Sequence, residues 1–176
     1  MQTTDDQDEI FDIVDREDKI VGQAKRGDVH QNKNLIHRSV AIAVINSRDR
    51  IFLQRRSITK DLDSLLWTIS CSGHVPSGES YEQAAMRELA EELKILGVSL
   101  NYLTKYLYQS PKETEMAALY KVSYDGPIEL NTEEIYEGKF FSREELVSSA
   151  ATGAIDLNLY GRTALVKLGW LSENRI

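Results

Sequence analysis

The chain has 176 residues, 41% of them hydrophobic and 28% charged, which suits one globular domain with a sizeable core. Its 21 basic and 28 acidic residues leave a net charge of -7, which excludes a general binder of nucleic-acid polymers or anionic membranes but not of a small phosphorylated ligand held through a divalent cation. No apolar run approaches the roughly 18 residues of a membrane span, and the single cysteine, Cys71, leaves no internal disulfide, so a cytoplasmic protein is expected.

The N-terminal "MQTTDDQDE" is acidic and polar, without the basic and apolar regions of a signal peptide. Residues 1–8 are expected to form a disordered tail ahead of a single domain spanning 9–176. "EIFDIVD" (9–15) and "KIVGQAKR" (19–26) read as a β-hairpin, followed by the loop "HQNKN". "HRSVAIAVIN" (37–46) is nearly continuous in apolar residues at its centre and predicts a strand buried on both faces. "IFLQRR" (51–56) continues it through a turn, the polar "SITKDLDS" (57–64) is a loop, and "LLWTISCSG" (65–73) is strand-like. Beyond residue 95, "NYLTKYLYQS" (101–110) and "EMAALYKVSY" (115–124) predict two more strands. "EGKFFSREEL" predicts a short strand and a helix start, with Ser142 and Glu145 as a capping box, and 156–171 a terminal helix weakened by Gly161 and Gly169. The mixture predicts a mixed sheet with helices packed against it.

Between these strands lies "GHVPSGESYEQAAMRELAEELKI", residues 73–95. Ser80 and Gln83 form a capping box that starts a helix at Tyr81. Stepping about 100° per residue places Glu88, Glu91 and Glu92 within one arc, apart from an apolar stripe of Ala85, Met86, Leu89, Ala90 and Leu93. Like charges at these spacings each cost a few tenths of a kcal/mol, and anions near a helix C-terminus are disfavoured. One reading is a solvated acidic face. The other is a cage for a hard cation such as Mg2+, which takes oxygen ligands. The tight turn through Gly73, Pro76 and Gly78 with Glu79 beside it favours the cage, because a purely structural turn does not require the glutamate.

Gly73, Glu79, Arg87-Glu88-Leu89 and Glu91-Glu92 stand at the spacings of G-x5-E-x7-R-E-U-x-E-E-x-G-U, where U is apolar, and this segment resembles the Nudix box. The departure is Lys94 in place of the final glycine, expected to alter only the helix C-cap. Residues 9–150 resemble the Nudix subgroup that shares its N-terminal half with type I isopentenyl diphosphate isomerase. The resemblance implies an α/β fold, the α/β/α Nudix sandwich around a mixed sheet. It also implies hydrolysis of a diphosphate linkage in a nucleoside diphosphate derivative or related organic pyrophosphate. Glu88, Glu91 and Glu92, with Gly73, would hold Mg2+ or Mn2+; Glu88, Glu91, Arg87 and Glu79 would form the catalytic set, Arg87 orienting Glu79 or a neighbouring carboxylate. The implied partner is a small-molecule diphosphate; the oligomeric state is left open, a homodimer being one candidate because dimers are common among relatives.

The isomerase is the rival reading. His30, His37 and His74, with Glu113 and Glu115 of "KETEM", resemble its metal ligands and mark a second metal or substrate site. Against it, the isomerase cysteine two residues before the last histidine is Ser72 here, and Cys71 is one position early, which in a strand sends the thiol to the opposite face. A serine hydroxyl is a poorer proton donor or acceptor than a tuned thiol, so the hydrolase is preferred. A catalytically inactive binding module of the same fold is the third reading. Arg55, Arg56 and Lys60 are candidate phosphate contacts. Trp67 is assigned to the core, Tyr106 and Tyr108 are weaker candidates for lining a pocket, and Glu133, Glu134 or Glu137 could add a metal ligand or base.

Overall fold

The computed structural model describes residues 5–173. The expected hairpin forms as β1 (Ile10–Val14) and β2 (Ile20–Lys25), antiparallel, followed by a single helical turn α1 (Arg26–Val29) that was not anticipated. Strand β3 (Ile36–Ile45) lies at the centre of the molecule. It pairs with β1, with β4 (Ile51–Arg56), with β6 (Cys71–His74) and, in parallel along its whole length, with β8 (Thr114–Ser123). Short β5 (Trp67–Thr68) and β9 (Ile135–Phe141) flank β4, and β7 (Asn101–Gln109) closes the other edge on β8. The nine strands form one mixed sheet. The stretch 65–73, expected as one strand, is broken at Ile69 and Ser70 into β5 and β6, which serve different neighbours.

The apolar centre of β3 explains the layering. Ala41, Ala43 and Ile45 point into one core with Ile51, Leu53 and Trp67, covered by α3 (Arg143–Thr152) and α4 (Leu159–Lys167). Val40, Ile42 and Val44 point into a second core with Cys71, Leu89 and Leu93, covered by α2 (Tyr81–Leu93). Successive residues of a strand face opposite sides, so a strand apolar at every position needs a helical layer on each. The result is the expected α/β/α sandwich.

Both capping boxes form as expected: Ser80 with Gln83 opens α2, and Ser142 with Glu145 opens α3. Gly161 does not weaken α4 without return, because a Cβ there would lie 2.7 Å from the Thr68 Cα; its absence lets the helix sit on β5. Lys94, at the position of the missing glycine, caps α2 in the left-handed region at φ 55°. Residues 1–4 of the expected disordered tail lie outside the described residues. Residues 5–8 are described, and Asp5 is drawn into ion pairs with the domain.

Candidate active site

A cavity of about 350 Å³ opens at one end of the sheet. Helix α2 supplies one wall. Glu88 and Glu92 are largely buried, whereas the Glu91 side chain is 58% exposed at the mouth. The acidic arc expected from the sequence is therefore split, with Glu92 on the core side and Met86 and Ala90 only half-buried. Gln54 explains how a carboxylate tolerates that position: its Nε2 donates to Glu92 Oε2 at 2.7 Å. Gly73 on β6 pairs with Val40 and so faces α2. A Cβ at this residue would overlap the Glu88 carboxylate, which is why only glycine fits.

Arg87 ties the acidic groups together. It donates to both oxygens of Glu79, to Glu88 Oε1 at 2.8 Å, to Glu91 Oε2 at 3.2 Å and to the His74 carbonyl at 3.1 Å. One guanidinium does not neutralise this many carboxylates. Burial, reinforced by the Glu92 charge and opposed by Arg87, pushes the Glu88 carboxyl up to about 8. Burial likewise raises Glu92 to about 7, against the hydrogen bonds from Cys71 and Gln54. Two buried carboxyls that resist ionisation, aimed into a cavity, are a donor set that a divalent cation would relieve, and their all-oxygen chemistry suits Mg2+ or Mn2+.

The opposite wall carries the histidines. One ligand atom from each of His30, His37, His74 and Glu113 lies within 4.8 Å of the others. Parity explains the grouping: Ser39 and His37 on β3, His74 on β6 and Glu115 on β8 are paired or alternate positions on one face. Neither ring nitrogen of His37 is in hydrogen-bonding geometry with a neighbour, whereas His30 lies between two carboxylates, its Nε2 3.3 Å from Glu113 Oε2 and its Nδ1 3.3 Å from Asp61 Oδ2. Burial, with the charge of His30, holds His37 down near 3, and burial, with the charges of His37 and Arg26, holds His74 well below its ordinary value. The open nitrogens of His37, with His74 and the Glu113 carboxylate within reach, fit a transition-metal ion such as Zn2+ or Mn2+. His74 is partly engaged, since Arg26 Nη1 lies 3.2 Å from its Nδ1. Glu115 lines the cavity and is protonated more readily than an ordinary glutamate because it is buried beside Glu113.

Arg56 and Lys60 line the cavity, but Arg55 does not. Arg55 points to the other side of β4, where it bonds Glu137 at 3.0 Å and stacks on Tyr136, so its expected phosphate contact is not formed by this geometry. Among the weaker candidates, Glu134 lines the cavity and pairs with Lys60; Glu133 and Glu137 are exposed outside it. Trp67 is in the core, and Tyr106 and Tyr108 pack there as well, while Tyr160 from α4 reaches the cavity. Arg26, Asp61, Ser39 and Tyr160 were not singled out from the sequence. Arg26 carried the only available signal, a basic residue at the end of a strand just ahead of His30.

Cys71 faces α2, fully buried, with burial and the charge of Glu92 pushing its thiol up, while Ser72 lines the cavity. The register of β6 thus places a hydroxyl, not a thiol, on the side that holds His74. The NUDIX domain model matches residues 35–160. The chain belongs to the Nudix family. It is 38% identical over 141 residues to an uncharacterised Nudix hydrolase of Streptomyces coelicolor, spanning 79% of this chain and 77% of that one. It is also 29% identical over 167 residues, 92% of each chain, to an isopentenyl-diphosphate Delta-isomerase of Serratia proteamaculans. The solved structure of DR0079 from Deinococcus radiodurans is similar with a TM-score of 0.76 and 28% identity, covering 92% of this Nudix chain and 98% of that one. The fold, the family and its hydrolase character agree with the box at 73–95. Among the described residues, no helix is long and apolar enough to cross a membrane.

Proposed function

We propose that this Nudix hydrolase cleaves the diphosphate linkage of a small organic pyrophosphate or nucleoside diphosphate derivative, with water as the nucleophile. The observation that carries the reading is the buried Glu88–Glu92 pair beside Gly73, opposite the basic side chains of Arg26, Arg56 and Lys60 in one cavity. Glu88, Glu91 and Glu92, with the Gly73 backbone, would hold Mg2+ or Mn2+. A divalent cation there supplies neutralisation of the diphosphate charge and acidifies water. The chain's own groups do the rest. Arg87 fixes Glu79, Glu88 and Glu91 against one another; Arg56 and Lys60 draw the phosphates in; Glu91, the most exposed of the box carboxylates, accepts the proton of the attacking water. Removing electrostatic help of this kind typically costs roughly 3–4 kcal/mol of barrier.

A second reading, proton transfer on a prenyl diphosphate, is favoured by the His30, His37, His74 and Glu113 group. Ser72 on the cavity wall speaks against it, because no thiol is available there for protonation. The test is a panel of nucleoside di- and triphosphates, dinucleotides, nucleotide sugars and isopentenyl diphosphate, with Mg2+ in 18O-water. Cleavage that leaves one 18O in a product phosphoryl group is expected, with kcat reduced at least 100-fold by Glu91→Gln at unchanged thermal stability. Conversion of isopentenyl to dimethylallyl diphosphate with the diphosphate linkage intact would replace the hydrolase by the isomerase, and binding without turnover would favour the inactive module.

A further inference from the structure

Two cations on the basic wall are already taken. Arg26 and Lys60 have side chains only 10% and 9% exposed, and both face Asp5, whose side chain is 5% exposed. Arg26 Nη2 lies 3.1 Å from Asp5 Oδ1, Lys60 Nζ is in short contact with the same oxygen, and the Asp61 backbone N–H donates to Oδ2 at 3.2 Å. A guanidinium, an ammonium and a backbone amide converging on two oxygens make an anion site, and its occupant comes from the chain itself. Carboxylate and phosphate oxygens compete for the same donors. Arg26 Nε faces Asp61 Oδ2 at 3.6 Å, too far for a hydrogen bond, so it is the most weakly engaged donor of the group.

We propose that Asp5 is an intramolecular competitor for a substrate phosphate, holding the Arg26–Lys60–Asp61 amide site until a phosphate displaces it. The inference rests on the diphosphate reading of the cavity. The segment is built for such an exchange. It is anchored behind Asp5, where the Arg26 N–H donates to the Glu9 carbonyl at 2.8 Å and the Gly27 N–H to the Gln7 carbonyl at 3.1 Å. Asp6 is exposed ahead of that anchor, so release of Asp5 would break the hydrogen bond from Gln7 Nε2 to the Asp5 carbonyl at 3.1 Å and leave β1 in place. With Asp5 in place, Arg26 faces Glu9 and Asp61 as well and Lys60 faces Glu134, so the two cations are balanced; with Asp5 out, a phosphate brings back the negative charge that leaves.

The test titrates the protein, with Mg2+ present, with imidodiphosphate, a non-hydrolysable diphosphate, so no turnover is needed. Asp5→Asn is expected to tighten binding three- to tenfold. Asp8→Asn, which removes the same charge from a side chain paired with Lys25 at the surface, is expected to stay within twofold. Hydrogen exchange in the wild type should rise at residues 5–7 on adding imidodiphosphate. Unchanged or weaker binding by Asp5→Asn, equal tightening by Asp8→Asn, or protection of residues 5–7 would each overturn the proposal. A chain that hydrolyses its substrate but shows no Asp5 effect loses this inference alone. One that shows the effect but turns nothing over keeps it and loses the hydrolase. One that binds no imidodiphosphate in either form loses both.

Discussion

Replacing Glu88 by Gln in metal-free buffer should remove a large part of the stability that the wild-type chain loses on going alkaline. A carboxyl raised on folding holds its proton more tightly in the native state. The stability this gives is complete below the ordinary value of 4.5 and is lost as pH rises through the native value of about 8. His37, held near 3 by burial, works the other way: its contribution is complete above 6.5 and is lost as pH falls. The clean window for Glu88 therefore runs from pH 6.5 to 9. At about 1.4 kcal/mol per pH unit, the stretch from 6.5 to 8 corresponds to about 2 kcal/mol. For a chain of this length that is roughly 4–8 °C in Tm. The assay is urea unfolding in EDTA at pH 6.5 and 9 for both proteins. Subtracting one from the other cancels Glu113 and Glu115, which are also raised by burial, whereas the coupled response of Glu92 belongs to the difference read as Glu88. Glu88→Gln is expected to gain about 2 kcal/mol on the wild type between the two pH values, and saturating Mg2+ should shrink the wild-type alkaline loss. Parallel pH profiles for the two proteins would mean that Glu88 does not hold its proton more tightly in the folded state.

Three further substitutions probe the same wall. Gly73→Ala places a methyl group on the Glu88 carboxylate, so kcat should fall at least 100-fold while the far-ultraviolet circular dichroism is unchanged; retained activity would contradict the packing. Gln54→Leu removes the 2.7 Å donor to Glu92, and calorimetric Mg2+ affinity should weaken by about 10-fold, an effect absent if Gln54 only fills space. Lys94→Gly relieves a left-handed residue at φ 55° and should raise unfolding stability by about 1 kcal/mol, with no change counting against strain at the C-cap.

The elements with a clear period were legible in the sequence. The central strand announced its double burial through an unbroken apolar run, and both capping boxes fixed helix starts to the residue. The break between β5 and β6 was not legible, because "LLWTISCSG" is apolar throughout and nothing local says that Trp67 pairs with Arg55 while Cys71 pairs with Ile42. At the site, helical periodicity placed the glutamates on one arc. It could not show that Glu92 turns inward, since the Gln54 amide that receives it lies 38 residues away in the chain. Arg55 and Arg56 looked equivalent as neighbours, but a strand sends them to opposite faces, and only Arg56 meets the cavity. Asp5 and Asp61 were invisible, and Arg26 showed only as a basic residue at a strand end, because their importance comes from long-range ion pairs rather than from spacing.

Which donors take the cation is decided most directly by Mn2+ titration followed by electron paramagnetic resonance, comparing the wild type with a Glu88→Gln/Glu92→Gln double variant and with His37→Ala. The carboxylate variant is expected to lose at least tenfold in affinity for the ion required for turnover, whereas His37→Ala leaves that site intact. Loss of the required ion in His37→Ala, with undiminished affinity in the double variant, would move the chemistry to the histidine wall and contradict the account.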